Sequence, residues 1–335
     1  MKKIFLISIV GFSLFTSCRK EEINKIDGPS LEDLNGAFSV ITGLQSSQDS
    51  VDFAAGETVF FTAEIAKTTP WKLRVIGMTS GAEKIMTGTS KIIDASQTLW
   101  NGSTTNLPMF RAEICKVELT FPGLPDTLIT DVKVINPKVN AGFLITDFET
   151  GFNTGWTSFI QAGADMDFQI KSDVTAPEGN AYYNMAGTVD WDWLVGLINF
   201  KATAYSGATL FPLTSNPNNL YFNVMVYGEV GLTNSLVLFQ FQEDEDANGT
   251  FDTATEDLYS HQITIDWIGW KLVSIKYSDI PCLVNGSPAT ANGNGQHNSD
   301  KINQINMLHL ANPISGFAKS KLDYIIFTEN GPLNP

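Results

Sequence analysis

The chain is expected to be all-β and built as two β-sandwiches, an expectation carried by three observations. Its 335 residues are dominated by short alternating or aromatic-rich runs, such as 58–65 and 71–76, which are strand signals. Clusters of Gly, Pro, Asn and Ser break these runs at the spacing of sandwich turns. Long stretches with a 3.6-residue apolar repeat are absent. The nearest approach, 300–310, has Ile302, Ile305 and Leu308 three apart and reads equally as one helical turn or as a strand approach.

At the start of the chain, Lys2 and Lys3 precede an apolar stretch, 4–14, that is too short to span a bilayer. That pattern is an export signal and not a transmembrane helix. The stretch ends at Phe15-Thr16-Ser17-Cys18, which resembles the lipobox of bacterial lipoproteins, with Phe15 where Leu is usual. The resemblance implies that 1–17 is a removed signal peptide and that Cys18 carries a lipid. Arg19-Lys20-Glu21-Glu22 resembles the basic-then-acidic export tag of surface-displayed lipoproteins in glycan-degrading Gram-negative bacteria; a plain solvated tether is the other reading. The tag implies an outer-membrane location facing the cell exterior. Residues 18–35 are polar and without apolar periodicity, so they are expected to form a flexible lipidated tether.

The whole chain carries 21 basic and 36 acidic residues, a net charge of −15. Removing Lys2 and Lys3 with the signal leaves 19 basic against 36 acidic residues, or −17. A surface of that sign repels phosphate backbones and anionic lipid, which argues against nucleic acid as a partner and leaves the acyl chains as the sole membrane contact. Of the 3 cysteines, Cys115 and Cys282 remain after lipidation of Cys18. They fall in different domains and are expected to be free, buried thiols.

A boundary is expected at Asn136-Pro137-Lys138, where the strand 130–135 ends in a turn-forming pair and Phe143-Leu144-Ile145 opens a new apolar run. The first domain, 36–137, has Trp71 early on a central strand and closes on 131–137. It resembles the immunoglobulin-like modules that space apart parts of surface glycan-binding lipoproteins of polysaccharide-utilisation systems. Trp71 is expected in its core. The second domain, 140–335, has longer strands, among them 219–227 and 235–242. Thr146-Asp147-Phe148-Glu149, the run 266–275 and the run 322–328 together resemble the galactose-binding-like jelly roll of many carbohydrate-binding modules.

The sharpest local motif is the run 244–252, with Asp244, Asp246, Asn248 and Asp252 at relative positions one, three, five and nine, and Gly249 at six. A hard cation such as Ca2+ wants six to eight oxygens, and Gly permits the turn that converges them. Thr250 would offer its carbonyl. Thr255 stands where an EF-hand has its bidentate Glu, so Glu256 or Asp257 would have to fill in. The competing reading is an acidic exposed turn. A second structural Ca2+ site is implied by the jelly-roll resemblance, in which carboxylates on the first and last strands share an ion with carbonyls of a nearby turn. Glu149 and Asp323 occupy those places, and Glu178-Gly179-Asn180 is the turn.

Sugar recognition needs flat aromatic faces against C–H surfaces and polar side chains to hold hydroxyls. Asp190-Trp191-Asp192-Trp193 is the richest candidate; in a strand Trp191 and Trp193 share a face. Tyr182, Tyr183 and Asn184 flank it, and Trp156 lies in a turn-rich stretch. Trp191 and Trp193 could equally both be core, while Trp267 and Trp270 read as structural. Catalysis finds no support: no carboxylate pair is singled out for glycoside hydrolysis, His261, His297 and His309 are isolated, and no nucleophile elbow or phosphate loop occurs. The glycines of Asn292-Gly293-Asn294-Gly295 read as loop flexibility. The expectation is therefore a non-catalytic surface lipoprotein that binds a polysaccharide or oligosaccharide through its second domain, with outer-membrane transporters among its partners. An envelope adhesion or scaffold subunit is the alternative, followed by a glycoside hydrolase or lyase.

Overall fold

The computed structural model describes residues 37–162, 165–189, 193–205, 207–232, 235–284, 287–311 and 316–335. The signal, the tether, Cys18 and Trp191 lie outside them, as do Asp190 and Asp192. The structure is all-β: among the described residues nineteen strands stand against one four-residue helix, α1 (Ala95–Thr98), and three single 3-10 turns. Among the described residues no helix is long and apolar enough to cross a membrane.

The first unit contains β1 (Val40–Ser46), β2 (Ser50–Asp52), β3 (Phe61–Gly77), β4 (Glu83–Ile93), β5 (Ile114–Thr120) and β6 (Thr127–Asn136). Strict alternation along the 17 residues of β3 buries Phe61, Ala63, Ile65, Trp71, Leu73 and Val75 on one side. Because β3 pairs with β1 over its first part and with β5 over its last, all six strands belong to one hydrogen-bonded sheet, ordered β1-β3-β5-β6-β2 with β4 on β3. Trp71 is 1% exposed and its Nε1 donates to Ser90 Oγ at 2.9 Å, as a core indole needs. Gly88 is required beneath it, since a Cβ there would overlap the indole ring.

The second unit contains β7 (Phe143–Thr146), β8 (Thr157–Ile160), β9 (Asp165–Ser172), β10 (Ala181–Val189), β11 (Trp193–Lys201), β12 (Leu220–Gly228), β13 (Ser235–Glu243), β14 (Leu258–Thr264), β15 (Gly269–Lys276), the small β16 (Leu283–Val284) and β17 (Ser287–Pro288), β18 (Ile302–Ala311) and β19 (Gly316–Glu329). One sheet runs β15-β12-β19-β10-β9 with β7 on β19, and the other runs β14-β13-β18-β11-β8. Their facing sides enclose one core that includes Phe200, Phe222, Phe239, Phe241 and Phe327. The ambiguous stretch 300–310 resolves as strand: Ile302, Ile305 and Leu308 all lie on β18, which a 3-10 turn at Ser299–Lys301 precedes. Cys115 and Cys282 are free, the first buried and the second only half-buried.

The two units touch. Met109 of the first packs with Met225, Tyr324, Ile326 and Leu333 of the second, covering one half of the β12/β19 outer face, the face turned away from the other sheet. Polar contacts frame this patch: Met109 N donates to Pro177 O at 2.7 Å, and the Arg111 guanidinium donates to Ala176 O at 3.0 Å and to Asn180 Oδ1 and Val174 O at 3.3 Å.

Candidate functional site

The other half of that outer face is open. β10 sends alternate side chains to opposite sides of its sheet, so Tyr183 and Met185 enter the core while Tyr182, Asn184, Ala186 and Thr188 line a cleft of about 310 Å³ with residues of β9 and β19. Register decides which groups meet there: Asn184 lies opposite Lys321, and Thr188 opposite Phe317. Asn184 Nδ2 donates to the backbone and side-chain oxygens of Asp167 at 2.9 and 3.1 Å. Lys171 pairs with that same carboxylate, and its hydrogen bond holds Asp167 below the usual carboxylate range. Lys319 pairs with Glu229.

An aromatic cluster backs the cleft. Tyr182 and Tyr227 meet Trp270 edge-on at 5.9 and 5.3 Å, and Lys321 Nζ lies 4.3 Å from the centre of Tyr182 and 4.6 Å from that of Tyr227. Burial lowers the Lys321 pKa, so its ammonium is held by ring faces and by the nearby Asp173 charge. Tyr182 OH donates to Asp173 Oδ2 at 2.7 Å, and Trp270 Nε1 to Thr175 O at 2.7 Å, which fixes the 173–180 turn against the sheet. At the far end Phe317 is 44% exposed. The cleft thus presents the more exposed Asp167, Lys171 and Lys319 beside the ring of Phe317, over a floor in which Asn184 and Lys321 are buried.

Two sequence-predicted residues, Tyr182 and Asn184, meet here. Trp156 and Tyr183 do not line it: their rings belong to the core of the sandwich, whereas Tyr182 and Asn184, although only 3% and 2% exposed, lie on the cleft side of the sheet. Trp156 closes one end of that core against Phe200 at 5.1 Å and donates Nε1 to Tyr205 OH at 3.0 Å, so both its apolar and polar demands are met inside. Trp193 opens β11, in the opposite sheet. Phe317 went unnoticed in the sequence, although Lys319 and Lys321 at the same parity mark it as lying on the polar side of its strand.

Beyond the cleft, carboxylates of the second unit stand at both of the places that the sequence marked. The loop between β13 and β14 holds the predicted motif, with Asp244, Asp246 and Glu256 each offering an oxygen within 4.8 Å of the others. Of the two acids that could stand at position twelve, Glu256 lies with Asp244 and Asp246, while Asp257 lies with Glu243 and Glu245. Asp244 Oδ2 accepts from Gly249 N at 2.7 Å, Asn248 Oδ1 from Thr250 N at 2.8 Å, and Asp252 Oδ1 from Ala254 N at 2.9 Å, which winds the loop inward. The second set is Glu149, Glu178 and Asp323. Glu149 lies in the turn after β7, not on the strand, and its Oε1 accepts from Asn180 N and Ala181 N at 2.5 Å. A β-bulge on β19, with Tyr324 at φ 45°, places Asp323 in full burial. Burial and the charges of Asp147 and Glu149 push Glu178 up to about 7, and burial together with Glu178 raises Asp323. Glu178 Oε2 and Asp323 Oδ2 are buried without partners. Two buried carboxylates each keep an oxygen without a partner here, and the charge of Glu178 bears on Asp323.

No family model matches the chain, and no curated protein matches it. It is similar to solved structures: carbohydrate-binding modules from the β-sandwich superfamily (14% identity, TM-score 0.37, 88% of this chain and 99% of that one); the family 11 carbohydrate-binding module from Clostridium thermocellum in complex with a β-1,3-1,4-mixed-linked tetrasaccharide (21% identity, TM-score 0.39, 59% and 100%); and SGBP-B from a complex xyloglucan utilization locus in Bacteroides uniformis (11% identity, TM-score 0.34, 87% and 73%).

Proposed function

We propose that the chain is a non-catalytic, lipid-anchored surface protein whose second sandwich binds a polysaccharide or oligosaccharide in the cleft of β9, β10 and β19. The observation that carries this reading is the placement of Phe317, an exposed ring, on the same sheet face as Asn184, Asp167 and Lys319. A sugar needs that combination, because its C–H face seeks a flat apolar surface while its hydroxyls need donors and acceptors held in fixed positions. The lipid on Cys18 would hold the protein at the outer membrane, where glycan-importing transporters are natural partners. Ca2+ would be held by Asp244, Asp246 and Glu256, with Asn248, Thr250 and Asp252 completing the loop, and by Glu149, Glu178 and Asp323, where it would neutralise acids that otherwise repel.

Affinity electrophoresis on a panel of glycans tests the reading. The protein should be retarded by at least one glycan, and Phe317→Ala should weaken that retardation about tenfold, close to 1.4 kcal/mol. Trp191→Ala and Trp193→Ala test the other aromatic candidates in the same gel. Retardation by none of the glycans would favour an adhesion or scaffold subunit, and release of reducing ends would favour a hydrolase. Mass spectrometry of the envelope form should find an acylated Cys18 as its first residue.

A further inference from the structure

The loop between β13 and β14 carries carboxylates that the 244–252 motif does not use. Glu243, Glu245 and Asp257 form a group apart from Asp244, Asp246 and Glu256, and each of the three offers an oxygen within 4.8 Å of the other two. Glu243 and Asp257 are fully buried. The segment 292–298 closes over them with backbone N–H groups: Gly293 and Gly295 donate to the two oxygens of Asp257 at 2.6 and 2.7 Å, Asn294 to Glu245 Oε1 at 3.2 Å, and Asn298 to Glu243 Oε1 at 2.7 Å. These glycines are structural, which corrects their reading as flexible: a Cβ on Gly293 would overlap Glu245, and Gly295 has φ +70°.

Glu243 supplies the independent sign of a ligand. Its Oε1 is satisfied by Asn298 N and by Tyr277 OH at 2.7 Å, but Oε2 is buried with no partner. Among the described residues no Lys, Arg or His forms an ion pair with any of the three carboxylates. Three acids this close need protons or a cation between them, since their mutual repulsion in a buried site is otherwise uncompensated. Oxygen-only donors of this density suit a hard divalent ion.

We propose that Glu243, Glu245 and Asp257 bind a divalent cation of the calcium class, separate from the ion assigned to Asp244, Asp246 and Glu256, and that it ties the β13–β14 hairpin to the segment 292–298. The inference stands on this cluster alone and is independent of glycan binding.

Native mass spectrometry of the protein, stripped with chelator and returned to CaCl2, counts the ions. Glu245→Gln is the informative variant because Glu245 is half exposed and accepts a single backbone bond, so the fold does not depend on it. It should hold one calcium fewer than the unmodified protein, or need at least tenfold more CaCl2 to fill that place. Adding Asp246→Asn to it should remove a further ion. An unchanged count and unchanged filling in Glu245→Gln would overturn the proposal. Tb3+ gives a second reading, since Tyr277 and Tyr259 lie against Glu243 and Asp257 and can sensitise its emission. The unmodified protein should show tyrosine-sensitised emission that CaCl2 suppresses, and equal emission from Glu245→Gln would also overturn the assignment.

Discussion

His309 shows how one buried side chain sets a pH response. It lies between the two sheets of the second unit, fully buried, with Nδ1 3.1 Å from Ser320 Oγ and its ring edge-on to Phe168 at 6.0 Å. Burial holds its pKa down at about 4, against 6.5 when exposed. Between those values the unfolded chain binds a proton that the folded one refuses, so this residue's contribution to stability is lost as pH falls from 6.5 toward 4, at about 1.4 kcal/mol per pH unit. Glu178 and Glu243, pushed up to about 7 and about 8, act in the opposite sense in metal-free protein, because the folded state keeps protons that the unfolded chain has released. The difference between the unmodified protein and His309→Gln isolates the histidine. Urea unfolding should show the unmodified protein losing ground to the variant by about 1–2 kcal/mol between pH 6.5 and 5; a pH-independent gap would contradict this account. At the cleft, Phe317→Ala should lower glycan affinity, since 44% of this residue is exposed on the cleft side of the sheet.

At the scale of elements, both acidic sets depend on backbone devices. Gly179 has φ +47°, and a Cβ there would overlap the Glu149 carboxylate. Gly179→Ala should therefore destabilise the protein by about 1–3 kcal/mol, read from the urea midpoint, because it adds left-handed strain and displaces a carboxylate. Phe148, Tyr324 and Ala247, all at positive φ, each lie beside or within a carboxylate set. Such strain persists where surrounding contacts over-determine it, and an ion is one way to do so. Removing calcium with chelator should lower Tm, and at a free concentration 100 times Kd the stability restored by each ion is about 2.7 kcal/mol. Differential scanning fluorimetry with and without chelator checks this; an unchanged Tm would count against ions at either set.

For the molecule as a whole, the contact between the two units decides how much of the sheet face is free. Met109, Met225, Tyr324, Ile326 and Leu333 form one apolar cluster across the junction, and Arg111 grips the turn that carries Glu178 and abuts Trp270. The first unit thereby braces the turn behind the cleft. Calorimetry should show the two units melting as one transition. Met109→Asp, which buries a charge in that cluster, should split it into two or lower the transition by several degrees. A single unshifted transition in the variant would show that the contact carries no coupling.

Local chemistry made much of this readable in advance. Period-two alternation and turn residues announced the strands, Trp71 announced a core, and the Asp-x-Asp-x-Asn-Gly spacing announced an acid-lined loop, because each depends on neighbours within a few residues. Long-range pairing decided the rest. Glu178 and Asp323 are 145 positions apart and become a pair only when β19 carries a bulge beside the 173–180 turn. Phe317 joins Asn184 only through the β10–β19 register. Trp156 and Tyr183, equally suited by type to a sugar platform, are instead core residues, because the closing of two sheets, which no local pattern encodes, determines which aromatic faces meet water and which meet each other.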